Sequence, residues 1–169
     1  LFNFCEEIGL LPLIAKTEVG YKNIVKLSSK SYLDNDELSD PSCQFEDLVK
    51  NFEDVILLSG TTNGLFGKLF KKGKFAEIEN AYNILKKKFG DNFYLEIQRH
   101  NDVNEKAFEF YNLNLSKKLD IPIIASHEVF YLDQSMHEAH EALICIGQKT
   151  YLNDKTRLSF SNEHYFKSS

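Results

Sequence analysis

Three short apolar runs at residues 55–58, 93–98 and 121–125 are separated by stretches whose apolar residues recur at helical spacing. That alternation constrains the fold more than any other feature of the chain. A strand that leaves its sheet through a helix and returns beside itself returns parallel, so the pattern reads as parallel α/β. The helices are predicted over 74–89, with Phe75, Ile78, Ala81, Tyr82 and Leu85 inward and Gly90 as the stop, and over 104–118, with Phe108, Tyr111 and Leu115 among its apolar residues. Ile121, Ile123, Ile124 and Ala125 read as a strand buried on both faces.

Polarity begins abruptly after that run. Side chains just past the carboxyl end of a parallel strand face the shared pocket, which places Ser126, His127, Glu128 and Phe130 where chemistry would sit. The same residues serve equally well as an ordinary strand end capping the next turn.

Elsewhere the signals are structural. Leu1, Phe4, Cys5 and Ile8 are spaced as on a helix, with Gly9 in the place of a left-handed cap. A second helix starts at Thr17 and runs through Tyr21, Ile24, Val25 and Leu27. The join at Pro12 is cramped for two strands and a turn. Residues 34–43 read as an exposed loop around Pro41, and 45–52 as a short helix. The turn Ser59-Gly60-Thr61-Thr62-Asn63-Gly64 lies between a strand and a helix, where an anion can bind. It carries neither Gly-x-Gly-x-x-Gly nor Gly-Lys-Ser/Thr, and a bare turn is the preferred reading. A helix over 134–147 holds His137 and His140 at i and i+3, not the i, i+4 spacing of zinc helices, so no metal is assigned to the pair. Residues 149–169 show no period and read as a connector that packs on a neighbour, such as a following domain.

Composition removes several classes. The 169 residues suffice for one domain, and the net charge of -5 argues against autonomous DNA binding, which needs clustered Lys and Arg. Cys5, Cys43 and Cys145 show no paired spacing, which suits a reduced, cytoplasmic chain. No apolar run approaches the roughly 20 residues of a membrane span, and the first residues lack the basic region of a signal peptide. With Leu rather than Met at position 1, the chain reads as an internal piece of something longer.

Several stretches taken together are familiar: Ala15 to Tyr32, Ile-Leu-Leu-Ser-Gly at 56–60, Tyr-Leu-Glu-Ile-Gln-Arg-His at 94–100, Ile-Pro-Ile-Ile-Ala at 121–125, and Ala-His-Glu-Ala-Leu-Ile-Cys-Ile at 139–146. In order and spacing they resemble the N-terminal polymerase-and-histidinol-phosphatase (PHP) domain of bacterial DNA polymerase III alpha subunits. The resemblance implies a distorted seven-stranded, TIM-like β/α barrel, incomplete in this chain. It would comprise a PHP domain over 1–148, with a segment missing near 12–13, and a connector toward polymerase domains over 149–169. A metal pocket is expected at the strand ends. Here the pattern departs from the family: the opening His-x-His is absent, and the chain reads Ala125-Ser126-His127-Glu128-Val129-Phe130-Tyr131 where intact members read Ala-Thr-Asn-Asp-Val-His-Tyr. A Cys that commonly follows Leu-Ser-Gly is Thr61.

A phenyl ring has no lone pair to donate, and a hydroxyl substitutes poorly for a thiolate. The resemblance therefore implies that Thr61 and Phe130 are lost ligand positions, that His100, His127 and Glu128 are a residual pocket, and that no catalytic residue lies here. Phe130 is expected to fill the imidazole's space as a packed plug. The implied role is a structural and docking module of a replicative DNA-directed DNA polymerase. Its magnesium would belong to a separate polymerase domain, with zinc or manganese here only if the site were intact. The implied partners are the other holoenzyme subunits, above all the proofreading exonuclease, with DNA reached through the complete protein. The alternative is a metal-dependent phosphoesterase or 3′–5′ exonuclease at the barrel mouth, working through a metal-activated hydroxide. A free-standing histidinol-phosphate-type phosphatase explains the fold but not the Gly20-Tyr21-Lys22-Asn23 and Ala139-His140 blocks.

Overall fold

The computed structural model describes residues 1–35, 40–51 and 53–168. Part of the predicted loop at 34–43 and the end of the predicted helix at 45–52 lie outside the described residues. The chain forms a mixed α/β structure divided into two compact units. The first comprises Leu1–Ile97 and Lys106–Ala125; the second comprises Gln98–Glu105 and the residues from Ser126 onward.

The first unit holds both sheets. Strands β1 (Phe2–Phe4), β2 (Glu7–Gly9) and β4 (Cys43–Gln44) form one, in the order β2-β1-β4. Strands β3 (Leu13–Ala15), β5 (Val55–Leu58), β6 (Phe93–Ile97) and β7 (Ile123–Ala125) form the other, in that order. The parallel expectation holds for β5, β6 and β7, joined by helices as the alternation requires. It fails for β3, which runs antiparallel to β5. Hydrogen bonds from Lys16 N to Asp54 O (2.8 Å) and from Leu58 N to Pro12 O (3.1 Å) tie opposite ends of the two strands and fix that direction. The expected seven-stranded barrel thus meets two sheets of three and four strands among the described residues.

Two further expectations are overturned. Residues 1–8 are a hairpin, not a helix. Cys5 and Glu6 both take positive φ (51° and 65°), the conformation that lets two residues join paired strands. Helical spacing misled because Leu1 and Ile8 are exposed, while Phe2 and Glu7 turn inward. Lysines fasten the hairpin: Lys68 and Lys74 donate to Ile8 O and Cys5 O, each at 2.7 Å, and Lys72 pairs with Glu7. Gly9 is therefore not a cap. A Cβ there would lie 2.4 Å from Leu65 Cα, so glycine lets β2 close on α3 (Leu65–Lys71).

The second correction concerns β7, which is not buried on both faces. It is the edge strand, with Ile123 40% exposed, Ala125 exposed beside it and Ile124 half-buried. Only Ile121, before the strand begins, is fully covered. An edge strand has a hydrogen-bonded neighbour on one side, and the pleat puts Ile123 and Ala125 on one open face.

The helices follow the sequence signals closely. Helix α1 (Glu18–Leu33) starts at Thr17, whose Oγ1 accepts from Val19 N and donates to Asp54 Oδ2. Helix α2 spans Phe45–Lys50, α4 spans Phe75–Phe89 and ends at Gly90, and α5 spans Glu105–Leu119. Tyr82 on α4 is fully buried, stacks edge-on against Phe66 (4.8 Å) and Phe93 (5.5 Å), and donates its hydroxyl to Asn112 Oδ1 at 3.1 Å. Burial drives its phenol far above the ordinary value, so the hydroxyl stays protonated as a donor. In the second unit, a 3-10 turn at Gln134–Met136 leads into α6 (His137–Gln148), and the later residues are irregular apart from a parallel bridge between Tyr131 and Tyr165. No helix of the described residues is long and apolar enough to cross a membrane.

Candidate functional site

Of the five nominated residues, Thr61 belongs to the first unit and the other four to the second. The turn carrying Thr61 is closed on itself. Gly64 N donates to Thr61 O at 3.0 Å, Asn63 N meets Thr61 Oγ1 at 3.4 Å, and Leu65 N donates to Leu10 O at 3.1 Å. A Cβ at Gly67 would stand 2.4 Å from Thr61 O and the Thr62 backbone, so α3 presses directly on the turn. The Gly64 and Leu65 N–H groups thus bind backbone carbonyls, and the Asn63 N–H binds the Thr61 hydroxyl.

The second unit gathers its rings from four segments. In the first, both oxygens of the buried Glu105 carboxylate accept backbone hydrogens, from His100 N at 2.7 Å and Asn101 N at 2.9 Å. Asn101 and Asn104 supply the positive φ that the loop needs. This clamp holds His100 inward, 2% exposed. Residues 126–131 supply His127 and Phe130; α6 supplies His140; and the irregular segment after α6 supplies Phe160 and His164.

The rings form a ladder. His100 stacks on His127 (centroids 4.5 Å, planes 30° apart) and, on its other face, on His164 (4.0 Å, 4°). Phe130 stacks on His164 (4.7 Å, 16°) and on His140 (5.2 Å, 11°), with Phe160 edge-on at 4.8 Å. The ring nitrogen His140 Nδ1 is buried without a hydrogen-bond partner, while each of the other three imidazoles has a partner for a ring nitrogen. His164 Nδ1 lies 3.1 Å from Glu128 O and His127 Nε2 lies 2.9 Å from Tyr165 O; a carbonyl only accepts, so those nitrogens carry the protons. His100 Nε2 accepts from Glu128 N at 3.3 Å and is therefore unprotonated. Burial, then the neighbouring His164 and His127, lowers the His100 pKa to about 4, with Asp102 acting in the opposite sense. His100 is neutral near pH 7.

The residual-pocket residues thus come together, but through a different chemistry from the one nominated. Glu128 contributes its backbone, while its carboxylate is 57% exposed and 3.9 Å from His164 Nδ1. Phe130 is stacked but 36% exposed, so it is a rung with an open edge and not a fully covered plug. His137 and His140 do not converge: His137 Nε2 donates to Phe160 O at 3.0 Å, and His140 lies flat on Phe130.

The metal implied by the resemblance can be tested against this geometry. An imidazole binds a cation along its in-plane lone pair, at roughly 2.0–2.1 Å, and several lone pairs must converge on one point. In the stack of His127, His100 and His164 the planes lie face to face, so the lone pairs run side by side. Three of the nitrogens are already committed to the backbone. Among the described residues no group of three or more His, Cys, Asp or Glu could hold a metal ion. The arrangement does not fit a metal centre, and no chemistry is derived through one.

Sequence reasoning missed His164 and Phe160. Both lie in the segment read as a connector, and what that segment packs on is α6 and the 126–131 loop. The available signal was the aromatic density of Phe160, His164, Tyr165 and Phe166, a run of rings with no period of its own.

A family model described as PHP domain matches residues 5–100. The chain is 37% identical to the DNA polymerase III subunit alpha of Caulobacter vibrioides over 157 residues, 93% of this chain and 14% of that protein. It is 38% identical to that of Rickettsia bellii over 156 residues (92% and 13%) and 32% identical to that of Vibrio cholerae over 166 residues (98% and 14%). The chain therefore spans only 13–14% of the length of these relatives.

Proposed function

The chain belongs to the PHP domain family, and from that premise we propose that it is the PHP portion of a replicative DNA polymerase III alpha subunit, acting as a structural and docking module. The observation that carries this reading is the alignment itself: 37% identity over 93% of the chain with a protein of that name. Polymerisation would belong to other parts of the complete protein, with carboxylate-held magnesium there. In this reading the seven-stranded barrel is completed by residues absent near 12–13, and residues 149–169 lead toward the polymerase domains. Thr61 and Phe130 stand at lost ligand positions, and His100, His127 and Glu128 are the remains of the pocket. The partners are the holoenzyme subunits, the proofreading exonuclease first among them, in the cytoplasm.

The phosphoesterase alternative draws no support from the relatives, which carry the polymerase name. The stacked imidazoles also lack the converging lone pairs such a reaction needs. The test is primer extension by the complete protein containing this chain, with magnesium, beside the variant Glu128→Ala. Extension by both proteins is expected. Failure of the folded complete protein to extend, with a zinc- or manganese-dependent phosphoesterase activity abolished by Glu128→Ala, overturns the reading.

A further inference from the structure

The segment after α6 is fastened at two ends. At one, the buried carboxylate of Glu141 accepts from Ser159 Oγ at 2.7 Å, from Phe160 N at 3.1 Å and from Arg157. At the other, His164 is 3% exposed, with His100 on one face, Phe130 on the other and Phe160 at its edge. Between them the Tyr131 hydroxyl donates to Ser161 O at 3.1 Å. Backbone bonds from Phe130 N to His164 O (2.9 Å) and from Phe166 N to Tyr131 O (3.0 Å) lay the segment along the 126–131 loop.

We propose that residues 157–166 form a closing strap with His164 as its keystone, so that a ladder of stacked rings performs the cross-linking of loops that a bound cation performs in a metal centre. The inference rests on the reading of this centre as one without a metal. A cation ties separate loops together because their side chains converge on it. Here one ring touches His100 from the 98–105 loop and Phe130 from the 126–131 loop on its two faces, so removing it deletes both contacts. What the strap requires of residue 164 is then a flat ring with two faces; the bond from Nδ1 to Glu128 O is secondary.

The experiment is amide hydrogen exchange on the whole 169-residue chain, wild type beside His164→Ala and His164→Phe, in EDTA and with added zinc or manganese. In His164→Ala, protection of the Glu128 and Phe130 amides falls about tenfold, from the loss of two stacked pairs, while α4 is unchanged. In His164→Phe, protection stays within about threefold of wild type, and metal alters none of the three. If His164→Ala is too unstable to study, His164→Phe still decides. Wild-type protection in His164→Ala, or collapse of protection in His164→Phe, overturns the strap alone. An EDTA-reversible rise with metal in wild type overturns the metal-free reading and the strap with it.

Discussion

The two units hold together by different means. The first is closed by apolar side chains: Leu57, Leu65, Phe66, Leu69, Leu85 and Phe93 are fully buried, and they come from strands and helices in regular register. The second is closed by groups that carry nitrogen and oxygen. His100, His164, Glu105 and Glu141 are all buried, and stacking and hydrogen bonds do the work that methyl and methylene groups do in the first. An apolar core tolerates pH and depends on volume. A polar core depends on the protonation state of its members and on every bond being made.

The contrast predicts where each unit breaks. The largest effect belongs to the first: Phe66→Ala should cost about 4 kcal/mol, transfer energy plus the cavity left among Leu65, Leu69 and Tyr82. Urea unfolding at neutral pH measures it, and a loss below about 1 kcal/mol would mean that the helix pair collapses into the gap.

Acid sharpens the comparison from the other side. His100 has its folded pKa near 4 and an unfolded value near 6.5. Between those values the unfolded chain binds a proton that the folded one refuses, so stability falls as pH drops from about 6.5 to about 4 and then levels off. The loss is up to about 3 kcal/mol, and it should appear in probes of the second unit and vanish in His100→Gln. Glu141 adds a later step. Burial pushes its carboxyl up, but the bonds from Ser159, Arg157 and Phe160 outweigh burial and hold it below the usual range. Its contribution is present above the unfolded carboxylate value and is lost only as pH falls through the lower folded one. A melt that is flat in pH from 7 to 4 would remove the distinction between the units.

How far each unit can be read from the sequence follows the same divide. The helix start at Thr17, Gly90 as a stop and the alternation of runs through β5, β6 and β7 are local signals, and local signals survive folding. The hairpin at 2–9 was illegible because Cys5 and Glu6 are unusual residues for positive φ, and an apolar spacing compatible with a helix concealed it. His127 was marked by its place just past a strand, and His100 was nominated beside it through the resemblance; the structure brings the two rings together. His164 was not: the bonds that seat the strap join residues 36 and 38 positions apart, and nothing local marks which ring will find which partner.

Glu141→Ala tests the strap's far end. It leaves the Ser159 hydroxyl and Phe160 N–H without their acceptor and should cost about 2 kcal/mol, seen as proteolytic nicking between 149 and 161 with the first unit intact. Resistance equal to wild type would show that the ring end suffices alone. Phe130→His is the mildest change. With the residue already 36% exposed, it should lower stability by about 1 kcal/mol and give no metal-dependent rise in melting temperature, because an added imidazole in the stack still offers no converging lone pair. A large rise with zinc or manganese would reverse that conclusion.

The second unit is discontinuous in the chain, and this gives its assembly an order in time. His100 leaves the sheet early, yet His127 reaches one of its faces only after α5 and β7 have been made, and His164 reaches the other only after α6 as well. Closing loops of that length is slow beside the local contacts of α4 or the hairpin, because chain entropy must be lost before any contact repays it. A growing chain that has reached α5 holds His100 with its faces bare, and the face that His164 covers stays open to solvent and protons until residues 157–166 emerge. The ladder is thus a late checkpoint, closed by the segment that follows α6.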